Sequence, residues 1–89
     1  MAKKQIKRIK QPTDSMMKHY EGLFSRNQSK WMRRSKLEQA HLGGEFIFEG
    51  QNHKLLGSIS SNEVVITNLE TGEYFIAHID DVTACILTE

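Results

Sequence analysis

The sequence of 89 residues has one cysteine, Cys85, one proline, Pro12, and one tryptophan, Trp31. A lone cysteine cannot form an intrachain disulfide, so packing has to stabilise the fold, and a cytosolic setting is the simplest expectation. Long apolar runs are missing too. The stretch Tyr74 to Ala77 falls far short of the roughly 20 residues a membrane helix needs, so no membrane span is expected. No apolar segment follows Lys10, and the sequence therefore predicts no secretory signal. The potential soft or borderline metal ligands, His19, His41, His53, His78 and Cys85, show no zinc-site spacing. No phosphate-cradling glycine loop occurs, and no serine, histidine and acid stand in a recognisable context. The sequence thus predicts no metal, no cofactor and no enzymatic activity.

What is present is a globular composition, 38% hydrophobic and 26% charged, in a chain long enough for one core. The net charge of +1 conceals a dipole. Residues 1–42 carry eleven Lys and Arg against Asp14, Glu21 and Glu38, a balance of +8, whereas residues 43–89 set Lys54 against eight acids, a balance of −7. Such asymmetry suggests a basic portion that meets a polyanion, unless folding lets the two halves neutralise each other.

Residues 1–13 contain Lys3, Lys4, Lys7, Arg8 and Lys10 and no acid, and read as a flexible basic arm. Ile6 and Ile9, three apart, could form one helical turn on contact with a partner, but alone they bury too little to offset ordering entropy. Residues 14–42 read as a helical region. Thr13 or Asp14 can cap the first turn, and Met16, Met17, Tyr20, Leu23, Phe24 and Trp31 fall within an arc of about 120° at helical periodicity. Gly22 and Asn27-Gln28-Ser29 weaken this helix without shifting its phase, so it is expected to continue through Trp31, with a break at Asn27 as the alternative. Ser35-Lys36-Leu37-Glu38 is a capping-box pattern that would start a second short helix at Lys36, ended by Gly43-Gly44.

Residues 43–89 alternate as strands, forming one domain with the helical region. Phe46 to Phe48, His53 to Ser60 and Ala84 to Leu87 flank a hairpin that runs from Val64 to Ile79, and Asp80-Asp81-Val82 reads as a helical turn. A three-residue loop Glu70-Thr71-Gly72, with Gly72 left-handed, would set Ile66 opposite Ile76 and His78 beside Val64. A two-residue loop would oppose Glu70 and Glu73, a repulsive pair, so the first register is preferred. It gathers Val64, Ile66, Tyr74 and Ile76 on one face and Val65, Leu69, Phe75 and Ala77 on the other. Both faces then need cover, from a closed barrel or a backing helix.

Five short strands with a helical turn before the last resemble the small SH3-like barrel. The stretch Leu55-Leu56-Gly57-Ser58-Ile59 to Val64-Val65-Ile66 is also similar to the Sm-type variant, where a helix precedes the barrel and a glycine lets a strand bend. Two departures stand against that variant: one residue fewer between Gly57 and Asn62, and a longer leading helical region. The resemblance implies an α+β fold, with a basic arm and a helix or helix pair packed on a five-stranded antiparallel barrel. It implies no site residue, and fold alone does not fix function.

The candidate contact residues come from charge. Arg26, Arg33, Lys18 and Lys36 lie opposite the apolar stripe, with Lys30 and Arg34 at its flanks. Such a ladder can track phosphates with salt-dependent affinity, and Lys3, Lys4, Lys7, Arg8 and Lys10 of the arm would add to it. Trp31 would stack on a base if exposed, although its place on the stripe favours the core. The expectation is a non-enzymatic protein that binds RNA or DNA. The alternative is a small regulator or assembly subunit whose charge asymmetry engages an acidic protein or a second copy of itself.

Overall fold

The computed structural model describes residues 6–35 and 43–82, with residues 29–35 described as backbone. The elements run β1 (Ile6–Ile9), α1 (Asp14–Ser35), β2 (Glu45–Phe48), β3 (Gln51–Ser58), β4 (Glu63–Asn68) and β5 (Tyr74–His78), and residues 79–82 enter a helical turn. The class is α+β, with one antiparallel five-stranded sheet in the order β1-β5-β4-β3-β2.

Residues 6–9, expected to lie within a flexible basic arm, form a strand instead, while residues 1–5 of that arm lie outside the described residues. Ile6–Ile9 pairs with β5, from Ile6 opposite Ala77 to Ile9 opposite Tyr74. The strand is ordered by a partner some 70 residues later, whose outer edge would otherwise leave its backbone groups unpaired. The expected strand at 84–87 and the second helix from Lys36 lie outside the described residues.

Helix α1 starts where capping chemistry places it. Thr13 Oγ1 accepts from Met16 N at 3.2 Å, and Thr13 O accepts from Met17 N at 2.9 Å, so Thr13 rather than Asp14 is the cap. The helix passes Asn27 without a break and runs on to Ser35. Its buried face is narrower than the apolar stripe: Tyr20 and Phe24 are buried, Met17 and Leu23 half-buried, and Met16 exposed. Phe24 joins Phe46, Phe48, Leu55, Val64, Ile66, Ala77, Ile79 and Val82 in a single core. Tyr20 packs on β3 at Gly57, where a side-chain carbon would lie 2.6 Å from Tyr20 Cβ. The ladder shifts register by a bulge between Leu55 and Gly57, which bends β3 at the same place.

The hairpin register also differs from the expected one. Ile66 faces Phe75, Val65 faces Ile76, and His78 lies opposite Glu63 rather than beside Val64. The cause is Asn68. Its Oδ1 accepts from Glu70 N at 2.8 Å and Thr71 N at 3.1 Å, while its backbone O accepts from Gly72 N at 2.8 Å. Leu69 therefore joins Glu70, Thr71 and Gly72 in a four-residue loop, closed by Asn68 N donating to Glu73 O at 2.8 Å. Gly72 is left-handed as expected, with φ of 79°. Partners across the ladder share a face, so Val64, Ile66, Phe75 and Ala77 turn to the core. Val65 is fully buried on the opposite face, with Thr67, Tyr74 and Ile76 half-buried beside it. Glu70 leaves the ladder, its carboxylate accepting from Asn52 N at 2.8 Å, which ties the β4–β5 loop to the start of β3.

Candidate nucleic-acid interface

The basic residues of β1 and α1 belong to consecutive elements joined by a short link through the buried Pro12. On β1 the alternation of a strand sends Lys7 and Arg8 to opposite faces, and both are exposed, as is Lys10 just beyond the strand. Arg8 Nε lies 3.2 Å from Glu73 Oε2, with the arginine side chain 72% exposed. At that exposure the pair contributes little to stability and leaves the guanidinium accessible. Lys7 borders a surface hollow of about 450 Å³ with Ile6, Ile59, Glu63 and Ile76.

On α1, Lys18 and Arg26 stand eight residues apart on the face turned away from Tyr20 and Phe24, and both are exposed. Gly22 lies midway between them. Together with His19 and Leu23 these residues line a shallow hollow of about 230 Å³. Among the described residues neither Lys18 nor Arg26 forms an ion pair. Among the described residues, the basic side chains of β1 and α1 are exposed, and of them Arg8 alone has an acidic partner.

Other expected contact residues are placed less fully. Lys30, Trp31, Arg33 and Arg34 lie on the α1 backbone, and their side chains fall outside the described residues, as do Lys3, Lys4 and Lys36 altogether. The core role weighed for Trp31 falls outside them in the same way.

Asn27 and Gly22, which the sequence marks only as weak points of the helix, have further roles in the structure. Asn27 interrupts the apolar stripe because it clamps α1 to the sheet: its Nδ2 donates to Ser60 O at 3.3 Å and to Ser58 Oγ at 3.5 Å. Ser58 is itself fully buried, its hydroxyl 2.6 Å from Ser60 O. Gly22 leaves an open notch in the helix surface.

His53 and His78 have structural settings. His53 is buried among Phe46, Phe48 and Phe75, at ring-centroid distances of 6.0, 5.4 and 6.3 Å, with Nδ1 2.9 Å from Gln51 O. His78 Nδ1 accepts from Asp80 N at 3.1 Å. Among the described residues no three His, Cys, Asp or Glu side chains gather as a metal site would require, and no helix is long and apolar enough to cross a membrane. In comparisons with protein-family models, curated proteins and solved structures, nothing matches the chain.

Proposed function

We propose that the protein binds nucleic acid without catalysing a reaction, holding phosphates with the cations of β1 and of the outer face of α1. One observation carries this reading: Lys7, Lys18 and Arg26, on β1 and α1, and Lys10, just beyond β1, are exposed, and none of them is ion-paired with an acid among the described residues. Cations spread along a fixed support can each displace condensed counterions from a polynucleotide, and that release drives association. A sheet of this size with a helix against it also suits the small SH3-like barrel as scaffold, the bulge at Gly57 serving as the bend. A cytosolic location belongs to the same reading.

The test is titration of single-stranded RNA and of duplex DNA across a salt series. Binding that weakens steeply with salt, and weakens further when Lys18 and Arg26 are changed together to Gln, supports the proposal. Absence of binding at low salt removes it.

A second reading is favoured by the sheet edges. Among the described residues β1 and β2 are its two outer strands, one carrying Lys7 and Arg8, the other Glu45 and the exposed Ile47. Edges of opposite charge suit head-to-tail strand addition between copies. Sedimentation at several concentrations separates the two, since a monomer at every concentration rules out self-assembly.

A further inference from the structure

Five glycines have described surroundings, and four of them are needed by the fold. Gly43, Gly50 and Gly72 adopt φ of 81°, 77° and 79°, where other residues are strained. Gly57 has no space for a side chain against Tyr20. Gly22 has neither reason: it sits within regular helix, and a side-chain carbon built there meets nothing within 4 Å. A glycine inside a helix weakens folding about five-fold relative to alanine, and here no contact within the described chain offsets that.

The surroundings of Gly22 identify what would. Lys18 and Arg26 stand one helical step of four residues to either side, about 6 Å along the axis each way, and His19 and Leu23 complete the hollow. A side chain at position 22 would occupy the space between the two cations. Without one, the gap admits a group that approaches the helix backbone closely while Lys18 and Arg26 close on it from both ends. A phosphate suits this gap in charge and hydrogen bonding, because it accepts from both cations at once and His19 can supply a further N–H.

We infer that Gly22 is the floor of a seat for one phosphodiester of a polynucleotide backbone, gripped by Lys18 and Arg26. This rests on the nucleic-acid reading and adds to it a specific contact point, where a diffuse basic surface would have none. A surface that acts by charge alone is indifferent to an added methyl group, whereas a seat is blocked by one.

The experiment compares the wild-type chain with Gly22→Ala, Gly22→Gln, the double variant Lys18→Gln with Arg26→Gln, and Ser15→Gln as a control for bulk at an exposed helix position. Thermal unfolding is measured alongside binding to single-stranded RNA, duplex DNA and inorganic pyrophosphate. The seat requires stability and affinity to move in opposite directions: Gly22→Ala unfolds at higher temperature yet binds polynucleotide several-fold more weakly. Gly22→Gln binds about ten-fold more weakly, with a salt dependence shallower by about one phosphate contact. Ser15→Gln binds as wild type. If both Gly22 variants bind like wild type while the Lys18 and Arg26 variant binds weakly, the seat is overturned and the nucleic-acid reading stands. If no chain binds polynucleotide, both fall. Pyrophosphate binding lost in Gly22→Gln, without any polynucleotide binding, overturns the assignment to a nucleic-acid backbone.

Discussion

Tyr20 lies directly over Gly57, so close that a side-chain carbon on the glycine would come within 2.6 Å of Tyr20 Cβ and 2.7 Å of its carbonyl carbon. The obstructing atoms include the backbone of α1, so no rotamer change relieves the contact. Gly57→Ala must push the helix off the sheet or distort the bulge at Leu55 to Gly57. The expected loss is about 1–3 kcal/mol, as for an overpacked core, read as a lower midpoint in urea unfolding. An unchanged midpoint would show that the helix sits less tightly than described.

Asn68 offers a second check, on the hairpin. Its side chain holds two loop amides, Glu70 N and Thr71 N, and donates through Nδ2 to Gln51 Oε1 at 2.8 Å, all while nearly fully buried. Asn68→Ala leaves those groups without their partner and is expected to cost about 2 kcal/mol. Hydrogen exchange at Glu70 and Thr71 should accelerate ahead of the rest of β4 and β5. Uniform acceleration across the sheet would instead mean that the loop has no local stability of its own.

These two residues also mark what could be read in the sequence. A helix start at Thr13 or Asp14 and continuity past Asn27 were legible because capping and periodicity act over a few neighbouring residues; the choice of Thr13 as the cap came from the hydrogen bond it accepts from Met16 N. Strand β1 was not legible, because in Ile6-Lys7-Arg8-Ile9 the two isoleucines stand three apart, which suits a helical turn rather than strand alternation, and its partner β5 is remote in sequence. The hairpin register is one residue from the expected one because the repulsion of Glu70 and Glu73 argues only against a two-residue loop, whereas the four-residue loop depends on the Asn68 side chain, whose inward turn shows only once the loop is formed. For the candidate site, the excess of cations was plain in the residue count. The notch at Gly22 was not, since a glycine that fits nothing is distinguishable from one that fits a turn only when its surroundings are known.

The β2–β3 turn carries a local strain that can be relieved. Glu49 has φ of 55° and Gly50 φ of 77°, the pattern of a two-residue turn with both central residues left-handed. Asn-Gly suits that turn far better than Glu-Gly. Glu49→Asn is expected to stabilise the protein by about 0.5–1 kcal/mol, measured as a higher unfolding midpoint. Glu49→Val, β-branched and intolerant of positive φ, should lower it.

Arg8 separates the stability of the fold from its proposed binding. Its partner Glu73 is 3.2 Å away, and the two side chains are 72% and 34% exposed, so water and salt screen the pair. Arg8→Gln should therefore change the unfolding free energy by less than about 1 kcal/mol. Removing one phosphate-binding cation is expected to weaken polynucleotide binding at low salt and to flatten the salt dependence by about one contact. Glu73→Gln supplies the opposite arm: it releases Arg8 from its acidic neighbour with the same small effect on stability, and binding should strengthen. If Arg8→Gln and Glu73→Gln shift affinity in the same direction, β1 does not meet the polyanion through Arg8. The contact would then lie with Lys7 and Lys10 or with α1 alone.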